Sequence, residues 1–462
     1  MFLFPLVYIF LFLMALKSLA NRNTRGITAF LVFGLPIYTT VISITHKYGF
    51  TKLVPLLQSF KEISIVSCLL YLLYHLNRKI RFHSIDYLVL FLFFYTFLYI
   101  FLPLGSYGFF EKVIAFKSLC FFPVVYFAGR LIDIRTISIT EIFHYVFLLS
   151  ILSSALLLYE IVTYTHFQTY TGYAEYLTYF FKQDPSGNYG LSWTFEIENG
   201  MKRFASFYST PLELAAATLV TIASLAASVT GNNNRLHFNR FTTIAFLSSL
   251  FTIAFALSRA SFASYFIIIY TYAIITRRKE ILKVFHYSLI LLVVVFSIIT
   301  IKGDFFEFIL NTITFTNASS VGHVVEWVNG IQSMAAHPLG IGLGESGRIS
   351  GLVGDNTGGE NQFIILGVQV GVIAVLAYLA IYIQLIRAAA KTIRTRTGRT
   401  RKLGIFIILI KVGLFIPLFT AEVESYIYIS YLVWFLSGIF MSLFMSKAAA
   451  PFSTKPSLPL AV

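Results

Sequence analysis

Three cations and one acid stand out from a chain that is otherwise mostly apolar: Lys117 in "EKVIAFKSL", Arg203 in "KRFASFYSTP", Arg259 in "LSRASF" and Glu360 in "GGENQF". Guanidinium groups hold phosphate oxygens bidentately, and an ammonium acts on them as a point charge. A carboxylate beside a bound hydroxyl can take its proton. Such a set suits transfer of a group away from a lipid pyrophosphate, whose departing charge the cations would stabilise. Glu360 is the best-placed base, with Asn361 able to orient it or the acceptor; Glu326 and His337 are the next candidates. The chain has no glycine-rich nucleotide-binding loop and no carboxylate pair spaced like a metal site, so no metal or other cofactor is expected.

Each of these residues also has a plainer reading. A lysine inside an apolar segment, as Lys117 is, either faces the bundle interior or snorkels to the interface. An arginine at a helix start, such as Arg203, often contacts headgroups. Ser258-Arg259 can be a capping turn with a snorkelling arginine. An acid at position 360 suits the free N–H groups and the dipole of a following helix.

The elements that must position these groups are membrane helices. At 57% hydrophobic and 17% aromatic over 462 residues, the composition excludes an ordinary soluble globule. It predicts an all-α polytopic membrane protein: one transmembrane domain over 1–446 and a cytoplasmic tail at 447–462. A span needs about 20 apolar residues, and about twelve or thirteen segments qualify. The first, at 2–17, reads as a retained helix. Further spans are expected at 26–44, 62–76 and 112–128, with an interfacial helix at 45–61 and another span at 362–386. The net charge of +15 sits in short loops, as positive-inside topology requires, and does not indicate nucleic acid. The basic run at 387–402 can also meet anionic lipid headgroups. Cys68 and Cys120 lie in apolar segments and read as packed thiols.

Two long outer loops are expected, at 164–208 and 302–361. The first is rich in Tyr and holds Trp193, Glu196 and Glu198; its aromatic faces suit sugar C–H surfaces and a membrane interface equally. In the second, Val324, Trp327, Val328, Ile331 and Met334 recur at helical spacing and predict an amphipathic helix ended by His337-Pro338. Gly340, Gly342 and Gly344 then suit either a close approach to sugar or phosphate or a plain turn, and spacing alone favours the turn. Glu422 and Glu424 should form a small outer turn. This topology brings Lys117, Arg203 and Arg259 to one outer face beneath the second loop. The spans read as largely uninterrupted, with no internal repeat, which disfavours a transporter.

The second loop resembles the signature loop of the bacterial O-antigen polymerase and O-antigen ligase superfamily. The matching residues are Ser319, His323, Trp327, Pro338-Leu339-Gly340-Ile341-Gly342 and Glu360-Asn361, followed by Gln362 to Val370 and Gly371. Arg203 before a Pro-containing helix start and Ser258-Arg259 between two spans are similar to its other hallmarks. His323 stands where the family usually has Arg. Glu360 stands where the ligases have His, which favours polymerase. The resemblance implies a multi-pass glycosyltransferase of the bacterial inner membrane. Its donor would be an oligosaccharide on undecaprenyl pyrophosphate, its acceptor another lipid-linked repeat unit, and its accessory partners a chain-length regulator and a flippase. It further implies pyrophosphate contacts at Arg203, Arg259 and Lys117, substrate contacts at His323, Glu326 and His337, and no metal. Ligase-type transfer to a final acceptor and transport of the lipid-linked oligosaccharide are the alternatives.

Overall fold

The computed structural model describes residues 1–76, 80–197, 200–231, 235–300, 318–347, 350 and 358–446. Among these residues the regular structure is helical, and strand pairing is confined to isolated bridges such as Glu196 with Lys202. Seven helices are long and apolar enough to cross a membrane: Leu3–Ala20, Thr51–Tyr74, Ile139–Thr163, Pro211–Val229, Val372–Thr395, Gly398–Thr420 and Ile427–Met445. Two further pairs qualify but are bent, and Ser84–Leu98, Arg240–Phe255 and Arg259–Ile275 are apolar but shorter. The fold is compatible with a multi-pass membrane protein.

Several expected boundaries are corrected. The 45–61 stretch is not a separate interfacial helix: after a tight turn at Thr51–Leu53 one helix runs over Val54–Tyr74, which carries Lys61 into the protein interior. The spans are also not uninterrupted. Arg25–Gly34 and Tyr38–Lys47 meet at 65° and Phe109–Cys120 and Phe122–Leu131 at 52°. Each break has a proline beside it, Pro36 and Pro123, and proline lacks the N–H that would continue the ladder. The expected 362–386 helix is likewise split, into Gln362–Val370 and Val372–Thr395, by Gly371 at φ 87°. A Cβ there would stand 2.6 Å from Pro338 O, so the close backbone approach demands glycine.

Two helices form the centre. In Pro211–Val229 and Ile427–Met445, 89% of the best apolar window is buried, against 28% for the peripheral Leu3–Ala20. Small residues explain the close packing: Pro211–Val229 is rich in Ala and Ser, and a Cβ on Gly438 would stand 2.1 Å from Tyr126 O of the neighbouring helix. Cys68 and Cys120 are buried free thiols. Of the second expected loop, residues 302–317, 348–349 and 351–357 lie outside the described residues, as does the expected tail at 447–462.

Candidate functional site

The first long loop is a folded unit that presents Arg203. Helices Phe167–Thr171 and Tyr173–Phe181 open it. Its return strand is pinned from below by Glu160, whose two carboxylate oxygens accept from Phe167 N at 2.7 Å and Ser206 N at 2.8 Å. Gln168 Nε2 donates to both Ser206 O and Tyr208 O at 2.8 Å. Glu196 is consumed within the loop, accepting from Asn188 N and Nδ2 at 2.7 Å. Burying carboxylates and amides is tolerable only with such partners, and here the partners fix the backbone that carries Arg203.

Arg203 points at the Ala256–Arg259 turn. Its Nε donates a long hydrogen bond, 3.4 Å, to Ala256 O, and Arg259, three residues further on, opens helix Arg259–Ile275. Ser258 precedes that helix without a side-chain capping bond, so the turn is not a simple cap. Arg203 is within electrostatic reach of Tyr426, Arg259 and Glu360. Burial pushes its guanidinium down to about 10, Arg259 acts the same way, and Tyr426 and Glu360 oppose. Like charges placed side by side cost stability unless an anion joins them. Among the described residues, no carboxylate lies within ion-pair distance of Arg203.

Glu360 completes this group. Glu360 is exposed to solvent, although protein atoms crowd around its carboxylate. Burial raises its pKa; His323 and Arg203 pull it back down, and Glu326 pushes it further up. Glu360 is not the cap of the following helix. That role falls to Asn361, which is buried and accepts from Phe363 N at 3.0 Å and Ile364 N at 3.2 Å through Oδ1. Asn361, expected to orient Glu360 or the acceptor, thus has its carbonyl oxygen engaged in fixing the backbone beside Glu360.

The described end of the second loop, helix Ala318–Ala336, folds over this group. His323 Nδ1 stands 3.9 Å from Glu326 Oε2, and Glu326 packs against Gly359 so closely that a Cβ there would be 2.0 Å from Oε2. The docked face of the helix runs through Glu326, Gly330 and Met334, which packs on Gly367. Of the expected apolar stripe, Val324, Val328 and Ile331 are exposed, whereas Trp327 and Met334 are half-buried. His337 is exposed in the turn after the helix. The glycine turn makes its close approaches to protein backbone: Ile341 N donates to Val368 O at 2.8 Å, Gly342 N to Gln369 O at 3.1 Å and Gly344 N to Gln369 Oε1 at 2.9 Å. It is a structural dock.

Lys117 is not part of this group, and the expected three-cation cluster is corrected to two arginines. Lys117 Nζ pairs at 3.1 Å with Glu62 Oε1, which Lys61 also contacts at 3.0 Å. The bend at Phe121 and the inward shift of the Lys61 helix bring these three together, and neither was visible in the periodicity. Glu424, expected in an outer turn, does lie in the turn Val423–Ser425, but its side chain turns inward to accept from Tyr378, Ser430 and Trp434. Lys411, also buried, sits 3.6 Å from the Trp434 ring and 4.1 Å from that of Tyr382. Tyr426 was missed altogether; a tyrosine at a helix start carries no distinguishing signal, and only the fold brings it within electrostatic reach of Arg203 and Glu360.

No protein-family model matches the chain, and none of the curated proteins matches it.

Proposed function

We propose that the protein is a polysaccharide repeat-unit polymerase of a bacterial plasma membrane, transferring a growing glycan from undecaprenyl pyrophosphate to a lipid-linked repeat unit at the outer face. One observation carries the reading: Arg203 lies within electrostatic reach of both Arg259 and Glu360, which come from two other, distant parts of the chain. In this reaction the guanidiniums hold the donor pyrophosphate. Glu360 takes the proton of the acceptor hydroxyl, whose oxygen attacks the anomeric carbon. The bond from that carbon to the pyrophosphate oxygen breaks, and the electron pair leaves with the pyrophosphate, where two adjacent positive charges matter most. His323 and Glu326 set the charge around the base.

The test is a glycan gel of a deletion strain, complemented with wild type, Arg203→Ala or Arg259→Ala. The expected result is accumulation of lipid-linked single repeats in the deletion strain, restored polymer with wild type and none with either variant. Intact polymer left unattached to its final acceptor would instead assign ligase-type transfer. The two bent pairs, 65° and 52°, are the feature a transporter of the same lipid would use. Repeats trapped at the cytoplasmic face of the deletion strain would assign that activity.

A further inference from the structure

A cavity of about 390 Å³ lies apart from the arginine pair, within the size range of small-molecule sites. Its walls come from the helices carrying Tyr38 and Lys61, from Ile114 to Phe122, from Tyr176 to Phe181 of the first long loop, and from Ser209, Glu213 and the 424–431 segment. Neither Arg203, Arg259 nor Glu360 lines it.

Three features of this cavity point to one kind of ligand. Its rim carries an ion pair, Lys117 with Glu62 at 3.1 Å, whose lysine side chain is 47% exposed, and Glu213 and Glu424 line the cavity as well. Aromatic rings line one side, Tyr176, Phe180 and Phe181, offering the flat apolar faces that sugar C–H surfaces prefer. Ile114 lines the cavity and is exposed, on a helix on which Phe110 and Val113 are apolar and exposed too. In a span such residues meet lipid, so a ligand anchored in the membrane reaches the cavity without leaving it.

The turn that carries Tyr426 forms part of this cavity's wall. Ser425 and Ile427 line the cavity, whereas Tyr426 between them lines the neighbouring cleft beside Ser258 and Ala260. Tyr426 is within electrostatic reach of Glu213 on the cavity side and of Arg203 and Glu360 on the other.

We infer that this cavity seats the acceptor: a second lipid-linked saccharide that enters from the membrane beside Ile114, sets its phosphate against Lys117, lies along Tyr176, Phe180 and Phe181, and presents its hydroxyl past Tyr426 to Glu360. The inference rests on the polymerase reading, because a polymerase must hold two lipid-linked saccharides at once and a transporter one.

The experiment counts ligands. Radiolabelled lipid-linked saccharides extracted from the host strain are incubated with the purified full chain in detergent, and the amount retained per chain is measured. The variants are Ser118→Phe, which fills the cavity wall, Arg203→Ala/Arg259→Ala, and all three substitutions together; gel filtration verifies that each is monodisperse. Wild type is expected to retain two glycolipids per chain, each of the first two variants one, and the triple variant none, while Lys117→Gln should weaken the site left in the double variant about tenfold. The same extract after mild acid, which frees the saccharide from its lipid, is expected to bind far more weakly. Retention of two by Ser118→Phe, or of one by wild type and none by the arginine variant, would overturn the acceptor site while leaving the polymerase reading to its own gel. Equal binding of the freed saccharide would overturn the membrane-side approach. The two-ligand pattern in a strain whose deletion mutant makes normal polymer would overturn the polymerase reading and keep the site.

Discussion

Two arginines at different places in the bundle are treated in opposite ways. Arg130 is buried with its charge matched: Nε donates to Asp86 Oδ1 at 3.2 Å, Nη2 donates to Arg81 O at 2.8 Å, and Tyr126 adds a bond to the same carboxylate at 2.6 Å. Arg401, similarly buried, caps Gly231 O at 2.9 Å. Arg203 instead has a long bond to one carbonyl and another arginine for a neighbour. A buried, fully partnered pair is strongly destabilised when one member is removed, whereas a buried guanidinium with no carboxylate at ion-pair distance, as Arg203 is among the described residues, gains most from an anion that arrives later. Arg130 therefore holds the fold, and Arg203 is poised for a ligand.

That contrast can be broken by substitution. Arg130→Ala strands Asp86 and should cost about 3–5 kcal/mol, enough to remove most protein from the membrane. Arg203→Ala should abolish polymer while the unfolding temperature in detergent stays near wild type. Thermal unfolding together with glycan gels checks both. If Arg203→Ala also unfolded the protein, the distinction between the two arginines would collapse.

Next in size is Glu360→Gln, which keeps shape and removes basicity. A fall of about 10²–10⁴-fold in polymerisation by purified protein is expected at unchanged expression. Near-normal rates would take Glu360 out of the mechanism and pass the role to Glu326, the carboxylate that raises its pKa.

The pH profile sharpens the point. Because burial raises the Glu360 carboxyl, and a base works only when deprotonated, the rate should rise with pH through a value above the ordinary carboxylate range. Arg203 lowers that carboxyl, so residual turnover in Arg203→Lys, which keeps the charge and loses the bidentate fork, should keep the same acid limb. Initial rates across pH test this, and an acid limb in the usual carboxylate range would count against Glu360 as the base. Asn361 should have the smallest effect. Asn361→Ala removes a cap worth about 1 kcal/mol and should lower thermal stability by that amount, whereas Asn361→Asp and Asn361→Ser should keep cap and activity alike. A large loss of activity in Asn361→Ser would mean that the residue also touches substrate.

That the chain forms apolar helices long enough to cross a membrane was legible in the sequence, because hydrophobic runs of spanning length have few other solutions. So was the separation of Arg203, Arg259 and Glu360 from the apolar mass, since a charged residue beside a span stands out against its surroundings. What sequence could not convey was which of these groups meet. Lys117 looked equivalent to the two arginines, but the bend beside Pro123 and the unbroken Val54–Tyr74 helix hand it to Glu62. Glu424 looked like a surface turn residue and is an inward acceptor. Asn361 and Glu360 are adjacent in the chain, yet one closes a helix and the other faces Arg203. Periodicity records which face of a helix is apolar, but the partner of a charge depends on where helices bend and how closely their small residues let them approach, and those are properties of the packed bundle alone.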